Sequence, residues 1–192
     1  MRIIFIIFLC IFSQTLFAKK LLILGDSLSA AYGMNYEQGW PHLLQQDTQW
    51  QLINASISGE TTAGAAARLP ALLQQHQPDA VLIELGGNDG LRGFPLAPIK
   101  ENLNSIINLV QQHKAQPILM QMRIPPNYGP RYGKSFAKIY PELAQQHNIV
   151  LWPFFMEQIA TDKSLMLADG IHPNAEAQPK IKDIMLKLID EL

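Results

Sequence analysis

The sequence predicts an α/β domain built on a parallel sheet, and two observations carry that expectation. Five short apolar runs, at residues 21–24, 50–53, 80–85, 117–122 and 149–152, have the length and the composition of buried strands. Between them lie longer segments whose apolar residues recur at helical spacing, so strands alternate with helices. That alternation implies right-handed crossovers and a sheet covered by helices on both faces, a three-layer domain. Such sheets bind ligands beyond the carboxyl ends of their strands, on the loops that follow each strand.

Taken in order, the first run leads into Gly25-Asp26-Ser27-Leu28-Ser29. Ser27 follows strand and turn immediately, where a hydroxyl points out over the sheet edge; Ser29 is read as an N-cap or packing serine. A helix opens at Gly39-Trp40-Pro41-His42-Leu43-Leu44, and the second run ends in the loop Ser58-Gly59-Glu60-Thr61. Residues 62–76 follow as a helix. The third run delivers Gly86-Gly87-Asn88-Asp89, and residues 98–114 form the next helix. The fourth run opens into a loop at 123–133 rich in Gly, Pro and aromatic residues, followed by a helix at 134–147. Beyond the fifth run lies Asp169-Gly170-Ile171-His172-Pro173. The last helix, 179–192, has Pro179 in its first turn and Ile181, Ile184, Met185, Leu188 and Leu192 on one stripe. Strand order is left open by the sequence.

Four loops on one rim therefore hold a serine, a glycine, an asparagine and an Asp-x-x-His string. A serine hydroxyl is a weak nucleophile until a base takes its proton, and the base must be held in one tautomer by a third group. Ser27, His172 and Asp169 can fill these roles. The remaining histidines have ordinary readings. His76, His113 and His147 each end a helical pattern, where an imidazole interacts favourably with the helix C-terminus, and His42 belongs to a surface or boundary position. Asp26 and Asp89 are read as hydrogen-bond acceptors that brace loops. The second glycine of a GxSxG nucleophile elbow is replaced by Ser29, which excludes the α/β-hydrolase arrangement. No HExxH, paired-histidine or cysteine spacing supports a metal site, and no cofactor is expected.

GDSLS at 25–29, NASISGETT at 54–62, GGND at 86–89 and DGIHP at 169–173 resemble the four blocks of the SGNH (GDSL-motif) hydrolases, in order and at similar spacing. The likeness extends over essentially all of the chain after residue 20. The resemblance implies a flavodoxin-like strand order 2-1-3-4-5, Ser27 as nucleophile, His172 as base and Asp169 as its orienter. It further implies an oxyanion hole made from the backbone amides of Ser27 and Gly59 and the side chain of Asn88. The chemistry agrees, because preorganised N–H donors aimed at the developing oxyanion lower the barrier to acyl transfer. Gly59 puts no side chain between its amide and a substrate, and Asn88 offers a neutral donor.

At 192 residues and 48% hydrophobic content, the chain is long enough for one well-buried domain and short for two. A formal net charge of −1 with scattered charges argues against a nucleic-acid surface. Residues 1–18 have the short basic head, apolar middle and small-residue end of a secretory signal, which leaves 19–192 as the hydrolase domain. Its apolar middle is about half the roughly 20 residues that span a bilayer. Cleavage after Ala18 is expected, with retention as an anchor as the alternative, since Leu16 is a poor residue three before a cleavage point. The single cysteine, Cys10, lies in this segment, so a mature chain would have neither disulfides nor thiol chemistry. A periplasmic monomer without stable membrane insertion is expected.

Small acyl esters are the expected substrates: acyl thioesters, lysophospholipids and simple carboxylic (aryl) esters. Leu91, Phe94, Ile124 and Tyr128 would line a shallow apolar groove for the acyl chain, or merely anchor their loops, and Gly90 with Gly93 would let the first of those loops move. Arg92 and Arg123 would meet an anionic group or remain solvated. A carbohydrate O-deacetylase and a non-catalytic lipid-binding protein of the same fold are the alternatives.

Overall fold

The computed structural model describes residues 18–192. The expected signal segment, residues 1–17 with Cys10, lies outside the described residues. Five strands form one parallel sheet: β1 (Lys20–Gly25), β2 (Gln51–Asn54), β3 (Ala80–Glu84), β4 (Gln116–Met120) and β5 (Val150–Trp152). Their order is β2-β1-β3-β4-β5, the flavodoxin-like order implied by the family resemblance. Residues Leu21 to Leu24 and all of β3 are buried, as strands covered on both faces must be, while the edge strands β2 and β5 are partly exposed.

Six α-helices cover the sheet among the described residues: α1 (Trp40–Gln45), α2 (Thr62–His76), α3 (Gly87–Leu91), α4 (Leu96–Gln112), α5 (Pro130–His147) and α6 (Gln178–Ile189). Helix α4 packs between α2 and α5, and α1 packs on α6, giving a helical layer on each face. Thr61 caps α2 by accepting the Gly64 N–H at 3.2 Å. Buried stripes such as Ile99, Leu103, Ile106, Ile107 and Val110 on α4 face the sheet.

Two elements differ from the sequence reading. Helix α5 starts at Pro130, inside the segment expected to be loop, because proline is well suited to a first helical turn where its missing N–H is not needed. The short α3 has no sequence signature, since Gly87 and Gly90 disfavour helix. Tertiary packing imposes it. Gly86 turns the chain out of β3 at φ +99°, tightly under the Tyr140 hydroxyl, which donates to the Leu85 carbonyl at 2.9 Å. Gly90 is buried, and a Cβ there would lie 2.6 Å from Ile124 Cγ2 and 3.0 Å from Phe136 Cε2. Gly90 is thus a close-packing residue, contrary to its expected part in a mobile hinge.

The strand order reverses between the parallel neighbours β1 and β3, which opens a crevice at their carboxyl ends. The turn after β1 carries Ser27, and α3 after β3 carries Asn88. Gly86→Ala is expected to cost about 2–3 kcal/mol, from a strained φ and an overpacked neighbour together. Gly93 also has a positive φ, +66°, but its side-chain direction is open. Gly93→Ala is expected to lose only about 1–2 kcal/mol, and denaturant unfolding of both variants checks the ranking.

Candidate active site

The turn after β1 is held from three directions. Ala30 N–H donates to the Asp26 carbonyl at 3.1 Å, Asn54 Nδ2 donates to the Ser29 carbonyl at 2.8 Å, and Trp40 Nε1 donates to the Leu28 carbonyl at 3.2 Å. Ser27 stands half-buried at the head of this turn. Ser29 is fully buried and donates its hydroxyl to Glu84 Oε2 at 2.8 Å, so it faces the core and away from the crevice.

His172 arrives from the long segment after β5. That segment is pinned by backbone bonds from Leu167 N–H to the His172 carbonyl and from Asn174 N–H to the Leu165 carbonyl, both 2.8 Å, on either side of a Met166–Pro173 bridge. The His172 ring lies between two partners: Nε2 is 2.9 Å from Ser27 Oγ, and Nδ1 is 2.7 Å from Asp169 Oδ2. Asp169 Oδ1 accepts the backbone N–H groups of Ile171 and His172 at 2.9 and 3.0 Å. Partial desolvation pushes the Asp169 carboxyl up, but the hydrogen bonds from His172 and Ile171 outweigh it and hold it at about 2. Tyr32, which the sequence reading did not single out, lays its ring on His172 with centroids 4.2 Å apart.

Asn88 lies across the crevice with its Nδ2 donating to Asp26 Oδ2 at 3.0 Å, while Asp26 Oδ1 accepts the Leu28 N–H at 3.0 Å. Asp26 is therefore a brace, as is Asp89, which accepts the Thr62 N–H and hydroxyl at 3.0 and 2.7 Å and ties α3 to α2. Gly59 is exposed on the loop after β2 at φ +80°. Among the described residues, the backbone N–H groups of Ser27 and Gly59 have no acceptor.

A cavity of about 480 Å³ opens from Ser27, Asn88 and His172 and runs under the loops after β4 and β5. Its wall is mostly apolar: Leu91, Met122, Ile124, Phe154, Met156, Met166 and Ile171. Of the four residues expected to line the groove, Leu91 and Ile124 do so. Phe94 and Tyr128 are exposed outside it, 42% and 36% accessible. Met122 ends the fourth apolar run, whereas Phe154, Met156 and Met166 lie in segments with no periodic signal to mark them. Both arginines are exposed, and of the two only Arg123 is ion-paired among the described residues. Arg92 Nη2 donates to the Gly59 carbonyl at 3.1 Å, and Arg123 pairs with Glu157 at the cavity rim. A larger depression, about 720 Å³, lies near Pro70, Leu73 and His113 at the opposite edge of the sheet, away from Ser27.

A sequence profile described as the GDSL-like lipase/acylhydrolase family matches residues 23–178. The chain belongs to that family. It is 51% identical over 179 residues to the thioesterase 1/protease 1/lysophospholipase L1 of Escherichia coli K12, covering 91% of this chain and 85% of that one. An arylesterase of Vibrio mimicus is 48% identical over 185 residues, covering 94% and 92%. The crystal structure of the psychrotrophic esterase EstA from Pseudoalteromonas, in a form inhibited by monoethylphosphonate, superposes with a TM-score of 0.88 at 49% identity, covering 90% and 97%. Like other members of this hydrolase family, the chain is an ester hydrolase.

The Asp169 carboxyl lies below its ordinary value of 3.8, so its contribution to stability is full above 3.8 and is lost as pH falls through about 2. The Tm difference between the wild type and Asp169→Asn is expected to stay constant from neutral pH to about pH 4 and to shrink towards pH 2. A difference that changed instead between pH 5 and 7 would assign the stabilising ionisation to another group.

Proposed function

We propose that Ser27 is the nucleophile, His172 the general base and Asp169 its orienter, in an enzyme that cleaves acyl thioesters, lysophospholipids and simple aryl esters. One observation carries this reading: a single imidazole joins Ser27 Oγ at 2.9 Å to the Asp169 carboxylate at 2.7 Å. His172 Nε2 takes the hydroxyl proton as Oγ bonds to the substrate carbonyl carbon, and the imidazolium is stabilised by ionised Asp169. The oxyanion formed on the carbonyl oxygen is met by the Ser27 and Gly59 N–H groups and by Asn88 Nδ2. Collapse expels the alcohol or thiol, which receives the proton from His172. Water then enters, gives its proton to the same nitrogen and hydrolyses the Ser27 acyl ester, which returns the enzyme to its starting state.

The apolar cavity supports an acyl chain over an acetyl group, since its wall extends well beyond Ser27. The active protein is proposed to be residues 19–192, monomeric and periplasmic after cleavage at Ala18. Among the described residues no helix is long and apolar enough to cross a membrane.

Ser27→Ala is expected to abolish aryl-ester turnover and covalent labelling by a fluorophosphonate, whereas Ser29→Ala keeps the label; a labelled peptide mapped to Ser29 would reverse the assignment. Asn88→Ala is expected to lower kcat by about 10² to 10³ with little change in KM, and a pure KM effect would make Asn88 a binding residue instead. Across p-nitrophenyl esters of increasing chain length, kcat/KM is expected to rise by up to about fourfold per methylene, from ~0.8 kcal/mol per buried CH₂, until the cavity is full. Preference for the acetyl ester would point to a deacetylase.

A further inference from the structure

Beneath Ser27 the domain buries two acidic side chains that the catalytic scheme does not use. Asp26 is 3% accessible, and Glu84, at the end of β3, is wholly inaccessible. The parallel register sets Gly25 beside Glu84, and the close approach needs a glycine: a Cβ at Gly25 would lie 2.7 Å from Glu84 Oε2 and 2.8 Å from Ser56 Oγ. No cation reaches either carboxyl among the described residues. Glu84 Oε2 accepts the Ser29 hydroxyl at 2.8 Å and the Asp26 N–H at 3.3 Å, whereas Oε1 receives no donor. The Asp26 N–H bond to Glu84 is the one that ties the two residues directly.

Two neighbouring buried carboxyl groups with no cation between them cannot both ionise except at prohibitive cost. Asp26 has the better claim to the negative charge, because its two oxygens accept the Leu28 N–H and the Asn88 Nδ2–H. Glu84 Oε1 has no hydrogen-bond partner, so nothing compensates a negative charge on it. We infer that Glu84 holds a proton, so that the pair carries one negative charge, on Asp26, which fixes the rotation of the Asn88 amide. One Nδ2 hydrogen is then spent on Asp26, and planarity of the amide sets the direction of the other. Glu84 is a positioning residue, two hydrogen bonds away from Asn88.

Burial pushes both carboxyls up. Asp26 is raised to about 6 despite the Leu28 and Asn88 hydrogen bonds and the nearby His172, while Glu84, with less to offset burial and with Asp26 facing it, is raised well above the carboxylate range. The titratable groups around the pair are His172 on the loop after β5 and, farther off, Tyr140 on α5, whose hydroxyl is itself raised first by burial and then by Asp89, Asp26 and Glu84. Neither Tyr140 nor Asp89 brings a positive charge to the pair.

The protonation state is independent of the proposed catalytic roles; its kinetic consequence rests on the reading of Asn88 as an oxyanion donor. Infrared spectra of the full domain at pH 8 in D₂O, with and without ¹³C-carboxyl glutamate, test the first part on folded wild-type protein. A protonated-carboxylic-acid carbonyl band that shifts with the glutamate label and disappears in Glu84→Gln is expected. A wild-type spectrum with no labelled acid band at pH 8 overturns the proposal whatever the activity. For the second part, Glu84→Ala is expected to lower kcat by at least about tenfold at nearly constant KM, and Glu84→Gln, which keeps a neutral donor, to restore most of it. Failure of Gln to do better than Ala would overturn the positioning role. Asp26→Asn and Asn88→Ala are expected to be non-additive in kcat, the double variant being about as slow as the slower single one. Fully additive losses would show that Asp26 acts apart from Asn88.

Discussion

The pairing of β1 with β3 is the constraint on which the active site depends. In the register that sets Leu22 opposite Val81 and Gly25 opposite Glu84, the two strands end together, and the chain leaves them in divergent directions. Only then do the turn holding Ser27 and the helix holding Asn88 face one another across a crevice. A slip of one residue would turn every β3 side chain to the opposite face and move Glu84 and Gly86 with it. Register is secured because both faces of both strands are buried. The core thus fixes the relative position of two chemical groups that have no direct bond to each other.

The polar cluster under the turn works against stability and in favour of definition. Burying Asp26, Glu84 and Ser29 beside Leu24 replaces possible apolar packing with groups that must each find a partner. Once partnered, they leave the turn a single arrangement: the Asp26 carboxyl accepts the Leu28 N–H and the Asn88 Nδ2–H, and the Asp26 backbone N–H donates to Glu84 Oε2. An apolar replacement would remove those directional demands and leave the Ser27 turn to the looser constraints of packing. Gly25, Gly86 and Gly90 belong to the same arrangement, since each lets a polar turn or a short helix approach its neighbours more closely than any side chain would permit.

Much of this was legible in the sequence because the reactive groups sit in compact strings at strand ends. Ser27, Asn88, Asp169 and His172 could be nominated from loop position and chemistry, and the helix at Thr62–His76 follows from its apolar spacing despite Pro70. The strand order was carried by family resemblance, since periodicity says which segments are strands and nothing about their neighbours. Glu84 was overlooked inside an apolar run, although an acid in a strand buried on both faces is itself a signal. Tyr32, Phe154, Met156 and Met166 could not be placed, because contacts made by irregular segments depend on tertiary geometry. Leu91 and Phe94 illustrate the limit: three residues apart, one faces the cavity and the other solvent, since the chain leaves α3 between them at Arg92.

The two halves of the site are supported by different kinds of structure. Ser27 and Asn88 are braced through Asp26 against the buried ends of β1 and β3, so displacing them means disturbing the core. His172 sits on a segment of bends and single 3₁₀ turns anchored in the core by Phe155, Ile159 and Leu165, while the Asp169 beside it has a half-exposed side chain; near the ring, position rests on local backbone bonds, the Tyr32 stack and the Ser27 contact. Local opening is easiest where buried apolar contacts are few and backbone bonds meet solvent. His172 is therefore the residue of the site that a local fluctuation withdraws most easily, while Ser27 and Asn88 stay aligned on the core. Such a fluctuation would also uncover the cavity wall at Met166 and Ile171, which lie on the same segment.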